Sequence, residues 1–184
     1  MQAEADVAQI IVESGKLKAR IRALGKRITR DFAGKDIHLV TVLRGGLFFL
    51  TDLARAIDLP LSLDCLAITS YGPSSDSGAG GVRITKDLDD SIRGRHVLVV
   101  EDIIDTGLTL AYIRRYLLVR EPASLTICTL LDRPYRRIVD IDVKYVGFEI
   151  PDTFVVGFGL DWRGKYRNLP YIGSLKPELY EDNP

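Results

Sequence analysis

Acidic and hydroxyl side chains follow a run of apolar residues between positions 97 and 110, which read VLVVEDIIDTGLTL. Glu101 and Asp102 come directly after the apolar run, and Asp105 opens a small polar turn of sequence Asp-Thr-Gly. A turn with free backbone N–H groups at the start of a helix can bind phosphate. Carboxylates beside it would repel the phosphate unless they face hydroxyls, a metal ion or a protonated base. The combination predicts a site for a sugar phosphate.

A buried strand and a helix are expected to position these groups. The apolar run has the length and β-branched content of a parallel strand, and apolar residues recur at helical spacing over residues 108–119. Open α/β sheets bind ligands where such a strand ends and a helix begins. The alternative is a buried strand whose acids only cap the next helix, with Asp105 as an ordinary N-cap. The whole fourteen-residue pattern favours the ligand site.

Strands alternate with helices along the rest of the chain. Residues 16–33 predict a helix that stops at Gly34, and residues 72–82, rich in Gly and Ser, predict a mobile loop. The alternation indicates an α/β fold, a mostly parallel twisted sheet with helices on both faces. The N-terminal helix and the short C-terminal strands are expected to form a smaller cap over the C-terminal edge of this sheet. Further strands are predicted at residues 37–43, 61–71, 124–131, 143–148 and 154–156, and a further helix at 47–57.

The bulk composition is that of a small globular protein with one core and agrees with an enzyme of modest size. The chain has 184 residues, and 25 basic residues balance 25 acidic ones, so no global charge attracts nucleic acid or an anionic membrane. Cys65 and Cys128 lie in apolar runs and are expected to be buried thiols in a reducing compartment. The sequence shows no signal peptide and no apolar run of membrane-spanning length. We therefore expect a cytoplasmic location with no nucleic-acid or membrane partner.

The pattern EDIIDTG closely resembles the signature of the type I phosphoribosyltransferases, in the form of their hypoxanthine-guanine branch. The resemblance extends over about residues 15–175. It implies one domain over residues 1–184, with a core at about 35–148 and a hood from the N-terminal segment and about 149–184. It also implies that the chain binds 5-phosphoribosyl-1-pyrophosphate with Mg²⁺ and transfers the sugar to a purine base. Members of the family are usually homodimers or homotetramers.

The resemblance implies a role for each residue of the signature. Asp105 would act as the general base near purine N7, while Glu101 and Asp102 would hold the ribose hydroxyls, directly or through metal. Metal ligands are expected among Glu101, Asp102 and Asp161. The expected phosphoribosyl-binding residues are Glu101, Asp102, Asp105, Thr106, Gly107, Leu108 and Thr109.

Two further segments match the family's pyrophosphate loop and its lid. The sequence Leu43-Arg44-Gly45 follows a predicted strand, and the peptide bond between Leu43 and Arg44 is commonly cis in the family. An arginine there can hold a phosphate through two hydrogen bonds. Arg167 matches a second arginine that contacts pyrophosphate. Ser70 and Tyr71 begin the loop that would close as a lid and exclude water.

The segment EIPDTFVVG, residues 149–157, matches the hood motif that binds the purine. Phe154 would stack on the purine ring, and backbone groups of Val155 and Asp161 would recognise its edge. Trp162 either shields the site or packs in the core.

Two departures from the family pattern bear on specificity. Arg133 stands where relatives usually have a lysine that donates to the purine 6-oxygen. A donor still favours the 6-oxo bases hypoxanthine and guanine over adenine, but arginine is longer and planar, so a xanthine preference stays open. Leu108 replaces a polar residue, yet a backbone N–H binds phosphate whatever the side chain.

The prediction is a purine-salvage enzyme that makes inosine or guanosine monophosphate. The alternative from another class is a regulator that senses phosphoribosyl pyrophosphate and reads RNA on the same fold. Such relatives lack the carboxylate of Asp105, and RNA binding normally needs a basic patch that the sequence does not cluster.

Overall fold

A computed structural model describes residues 4–71 and 81–180, and for residues 70, 71, 81 and 82 it describes the backbone alone. Strands and helices alternate through the middle of the chain. In chain order the elements are β1 Val7–Val12, α1 Ser14–Asp31, β2 Ile37–Leu43, α2 Gly46–Ala56, β3 Leu61–Tyr71, β4 Gly81–Lys86, β5 His96–Ile104, α3 Leu108–Leu118, β6 Ser124–Asp132, a 3-10 helix Pro134–Arg136, β7 Tyr145–Glu149, β8 Val155–Val156, β9 Ile172–Leu175 and a 3-10 helix Pro177–Leu179.

The large sheet has six strands in the order β4-β3-β2-β5-β6-β7. Strands β3, β2, β5, β6 and β7 are parallel, and β4 pairs antiparallel with β3 at one edge. The central strand β2 reads IHLVTVL and is buried almost throughout, as expected of a parallel strand that is covered on both faces. The predicted fold class is confirmed.

Alternate residues of β5 face two hydrophobic layers. Leu98 and Val100 pack in the layer that contains α1 and α2, while Val97 and Val99 pack in the layer that contains α3. This alternation follows from the two-residue period of a strand. Helices therefore cover both faces, and the C-terminal ends of the strands are left for a site.

A small antiparallel sheet has the order β1-β9-β8. Val12 pairs with Ile172, and Val155 pairs with Ser174. Val155 lines the same pocket as Leu43 at the end of β2. The small sheet therefore faces the C-terminal edge of the large one.

The expected composition of the cap was wrong in part. Helix α1 does not belong to it, because Leu17, Ile21 and Leu24 are buried in the core and α1 packs against α2 and β7. Strand β7, predicted at residues 143–148, extends the large sheet beside β6. The small sheet uses β1 and β9 instead. The sequence analysis predicted neither of these strands, nor the edge strand β4.

The structure also bears on the two cysteines and on the question of a membrane-spanning helix. Cys128 is buried as expected, whereas Cys65 is only half-buried, and both are free thiols. None of the helices in residues 4–71 and 81–180 is long and apolar enough to cross a membrane.

Candidate active site

The predicted site residues meet where β2, β5 and β6 end. A pocket of about 390 Å³ lies between these strand ends and β8, and an adjoining pocket of about 210 Å³ follows the turn that leads into α3. The two pockets share Glu101, Asp102 and Asp105. Most of the predicted residues line one or both of them, namely Leu43, Arg44, Gly45, Glu101, Asp102, Asp105, Thr106, Gly107, Thr109, Arg133, Phe154, Val155, Asp161 and Arg167.

Two half-buried acidic residues, Glu101 and Asp102, follow each other at the end of β5. Burial, together with the neighbouring carboxyl of Asp102, raises the pKa of Glu101 well above its usual range. Burial also raises the pKa of Asp102 to about 6, although its Oδ1 accepts a 2.8 Å hydrogen bond from the backbone N–H of Ile103. Within the described residues, Glu101 Oε1 is buried without a hydrogen-bond partner. These carboxyl oxygens are suited to a ligand that brings hydroxyl groups or positive charge.

The loop after β2 lies directly against these acids. The peptide bond between Leu43 and Arg44 is cis, as expected. A Cβ atom on Gly45 would lie only 1.7 Å from Asp102 Oδ2, so a residue with a side chain cannot take this position without displacing the carboxyl group. The glycine therefore lets the backbone of the loop approach the buried acid, and the exposed Arg44 precedes it.

The turn between β5 and α3 begins the helix with glycine. Gly107, at φ 81°, is the N-cap of α3, and no side chain caps the helix through a hydrogen bond. The interpretation of Asp105 as an ordinary N-cap is therefore wrong. The N–H of Leu108 makes only a long 3.4 Å contact with Thr106 Oγ1, which leaves the first turn of the helix able to bind an anion. The Leu108 side chain instead lines an outer groove along α3.

Asp105 stands between two arginines that follow β6. Its Oδ1 lies 3.0 Å from Arg136 Nε and 3.8 Å from Arg133 Nη1. Oδ1 is buried and has no aligned hydrogen bond within the described part of the chain, whereas the side chain as a whole is 40% exposed. The contact with Arg136 is thus a close ion pair rather than a directed hydrogen bond.

Arg133 reaches from the end of β6 to the segment before β8. Its Nη2 donates to the carbonyl oxygen of Thr153, and its Nε is buried with no hydrogen-bond partner among the residues described. Burial lowers the pKa of this guanidinium. Arg133 thus lines the pocket and keeps one buried donor without a partner in the described structure.

Aromatic residues support the opposite wall of the pocket. Phe154 lines the pocket, and outside it the ring stacks on Tyr180, with centroids 5.1 Å apart, and meets the edge of Trp162 at 5.2 Å. Trp162 therefore has a packing role here. Asp161 and Arg167 form a 2.6 Å ion pair, and Arg167 also donates to the carbonyl oxygen of Gly159.

The expected lid and metal ligands have different outcomes. Ser70 and Tyr71 are the last residues of β3, but their side chains and most of the loop at 72–82 lie outside the described residues. Over residues 4–71 and 81–180, no group of three or more His, Cys, Asp or Glu side chains is placed to hold a metal ion by itself. Glu101, Asp102 and Asp161 line one pocket without forming such a cage.

Sequence reasoning did not single out Arg136, Asp152 or Tyr180. Arg136 pairs with Asp105 and also with Asp152, whose Oδ1 lies 2.9 Å from Arg136 Nη1. The only available signal for Arg136 was its closeness in sequence to Arg133. Nothing in the sequence connected Tyr180 with Phe154.

The fold and the site agree with a comparison against protein families. The profile of the phosphoribosyl transferase domain matches residues 8–163. The chain belongs to the phosphoribosyltransferase family and is a transferase.

Individual relatives indicate the branch of the family. The hypoxanthine-guanine phosphoribosyltransferase of Mycobacterium avium is 50% identical over 182 residues, which cover 96% of this chain and 89% of the relative. The hypoxanthine phosphoribosyltransferase of Salmonella typhimurium is 48% identical over 169 residues, with 91% and 94% covered. The crystal structure of a hypoxanthine phosphoribosyltransferase from Staphylococcus aureus matches with a TM-score of 0.93 at 44% identity and covers 98% of this chain and 97% of its own. The resemblance drawn from EDIIDTG is confirmed.

Proposed function

We propose that this chain transfers the 5-phosphoribosyl group from phosphoribosyl pyrophosphate to N9 of hypoxanthine or guanine, in purine salvage. The names of the relatives support this activity. The observation that carries the proposal is the position of Asp105. It lines the same pocket as Glu101, Asp102 and Phe154, and its Oδ1 lies 3.8 Å from Arg133 Nη1. A general base at this position would lie between the sugar and the purine.

The phosphoribosyl group would lie along the end of β5 and the start of α3. The 5-phosphate would bind the backbone N–H groups from Thr106 to Thr109, where the positive end of the helix dipole faces it. Ribose hydroxyls would donate to Glu101 and Asp102 and so supply the partner that Glu101 Oε1 lacks. The pyrophosphate would bind the loop at Gly45 and the guanidinium groups of Arg44 and Arg167.

The reaction then follows from charge. The bond between ribose C1 and the pyrophosphate oxygen breaks with its electron pair on the leaving group, while purine N9 forms the new bond to C1. Asp105 accepts the proton that the purine carries at N7 and acts as general base. The sugar is cationic in the transition state, and the carboxylates near the ribose would stabilise it.

The purine would bind between Phe154 and the ends of the strands. Phe154 supplies an aromatic face, and backbone groups of Val155 and Asp161 would recognise the edge of the base. Arg133 Nε, a buried donor without a partner in the described structure, would donate to the 6-oxygen. Adenine carries an amino group there and would leave two donors facing each other.

The donor set of the pocket fits Mg²⁺ that is shared with the substrate. Mg²⁺ usually keeps several waters and binds one or two carboxylates together with substrate phosphates, so an all-protein cage is not required. Glu101, Asp102 and Asp161 would supply those carboxylates. When bound, the ion supplies positive charge to the leaving pyrophosphate oxygens.

The same proposal covers the parts of the molecule outside the chemistry. The small sheet and the residues from 149 onward would act as the hood of one domain, with Ser70 and Tyr71 starting a lid. The partners would be small molecules and a second copy of the chain, in a cytoplasmic homodimer or homotetramer that binds neither nucleic acid nor membrane.

The first test follows nucleotide formation by absorbance, with Mg²⁺, phosphoribosyl pyrophosphate and each of four bases. We expect product from hypoxanthine and guanine and none from adenine. Dominant turnover of xanthine would mean that Arg133 has changed the specificity. Asp105→Asn should lower kcat about a hundredfold while the sugar substrate still binds. Unchanged turnover in this variant would remove Asp105 from the mechanism.

A further inference from the structure

Arg136 links the reacting part of the site to the segment before β8. It ends the 3-10 helix that follows β6, and its side chain is 45% exposed. Its Nε lies 3.0 Å from Asp105 Oδ1, and its Nη1 donates a 2.9 Å hydrogen bond to Asp152 Oδ1. One guanidinium thus contacts two carboxylates, one on the turn before α3 and one on the segment before β8.

The contact leaves the two oxygens of Asp105 in different environments. Oδ1 faces Arg136 and Arg133 and is buried, while the side chain keeps 40% of its exposure. Oδ2 accepts no hydrogen bond from any residue that the structure describes, so it remains available to a ligand. Asp105 lines the pocket, and an oxygen without a hydrogen-bond donor is the one that can accept a proton from a purine.

We propose that Arg136 is a positioning residue that holds Oδ1 of Asp105 so that Oδ2 faces the purine. The hydrogen bond from Nη1 to Asp152 anchors the planar guanidinium, so its charge is held 3.0 Å from Asp105 Oδ1. Asp152 is 65% exposed, and an ion pair with that exposure contributes little to folding stability. The role of the pair is orientation of the base.

The proposal rests on the proposed function, since it requires Asp105 to be the general base. Arg136→Gln removes the charge and the planar donor, and we expect kcat to fall about tenfold through misplacement of the base. Arg136→Lys keeps the charge but cannot contact both carboxylates in the same way, so its kcat should lie between those of the wild type and Arg136→Gln. Asp152→Asn should weaken the anchor and give a smaller loss than Arg136→Gln. Arg114→Gln, an exposed arginine on α3, is the matched control for the loss of one positive charge and should keep full activity.

A double-mutant cycle separates positioning from a general structural effect. If Arg136 acts through Asp105, then Arg136→Gln added to Asp105→Asn should cause no further loss of kcat. The dissociation constant for phosphoribosyl pyrophosphate, measured by calorimetry, should be the same in all four proteins. Unchanged binding of phosphoribosyl pyrophosphate would also show that each variant is folded.

The other possible results show which proposal is wrong, the positioning role of Arg136 or the role of Asp105 as general base. Full activity in Arg136→Gln, or a loss that multiplies with that of Asp105→Asn, would overturn the positioning role and leave Asp105 as base. Weaker binding of the sugar substrate with unchanged kcat would do the same, because it would place Arg136 in substrate binding. Full turnover in Asp105→Asn would overturn the base, and with it the proposal for Arg136.

Discussion

Asp102→Asn should stabilise the protein without ligands at alkaline pH. The ordinary pKa of an aspartate is 3.8, and burial raises that of Asp102 to about 6 in the folded protein. Asparagine has nearly the same shape, and its Oδ1 can still accept the hydrogen bond from Ile103. The substitution therefore removes a buried charge with little change in packing.

The size of the effect follows from linkage between protonation and folding. Below pH 3.8 the carboxyl is protonated in both states, so wild type and variant should have similar stability. As the pH rises from 3.8 to about 6, the unfolded chain releases the proton first, and the wild-type protein loses stability. Above that range the full difference between the two pKa values contributes. At 1.36 kcal/mol per pH unit, the ionised Asp102 then destabilises the folded protein by about 3 kcal/mol.

Urea denaturation at pH 8 and at pH 4 measures this difference. We expect Asp102→Asn to raise the free energy of unfolding by about 3 kcal/mol at pH 8 and by less than about 1 kcal/mol at pH 4. Asp142→Asn makes the same chemical change at an exposed position and should alter stability little at either pH. An equal effect of Asp102→Asn at both values would refute the reasoning, because the gain would then not come from a buried charge.

Two further predictions concern the wall that is proposed to bind the purine. Arg133→Met should lower kcat/KM for hypoxanthine by at least about tenfold, since the 6-oxygen loses its donor, and an unchanged value in steady-state assays would contradict this contact. Tyr180→Ala should raise the KM for the purine about fivefold and leave kcat unchanged, because Phe154 loses the ring stacked on it. Tyr180→Phe keeps that ring and should behave as wild type, so a similar rise in KM there would point to the hydroxyl instead.

The parts of the molecule that the sequence predicted depend on local patterns. Strand β5, the turn at Asp105 and helix α3 are contiguous, and their periodicity, acids and glycine all lie within residues 97–119.

The parts that were missed depend on contacts between distant segments. Half of the residues of strand β1 are exposed and the strand carries no clear alternation, so only its pairing with β9 defines it. Arg136 and Asp152 look like ordinary surface charges in the sequence. Their meeting requires the 3-10 helix after β6 and the segment before β8 to fold against each other. Helix α1 shows an apolar face, but periodicity alone does not say which surface that face covers.

The small sheet joins segments that are far apart in the sequence and are therefore synthesised at different times. Ser174 donates to the carbonyl oxygen of Gln9, 165 positions earlier, and Tyr166 donates to Asp6. A ribosome completes β2 to β7 before β9 exists, and folding during synthesis starts from the N-terminal side. The end of β5, which carries Glu101 and Asp102, can thus fold before β1 has paired with β9. The small sheet, whose strand β8 contributes Val155 to the pocket, is completed last, so the acids at the end of β5 can be in place before this part of the pocket closes.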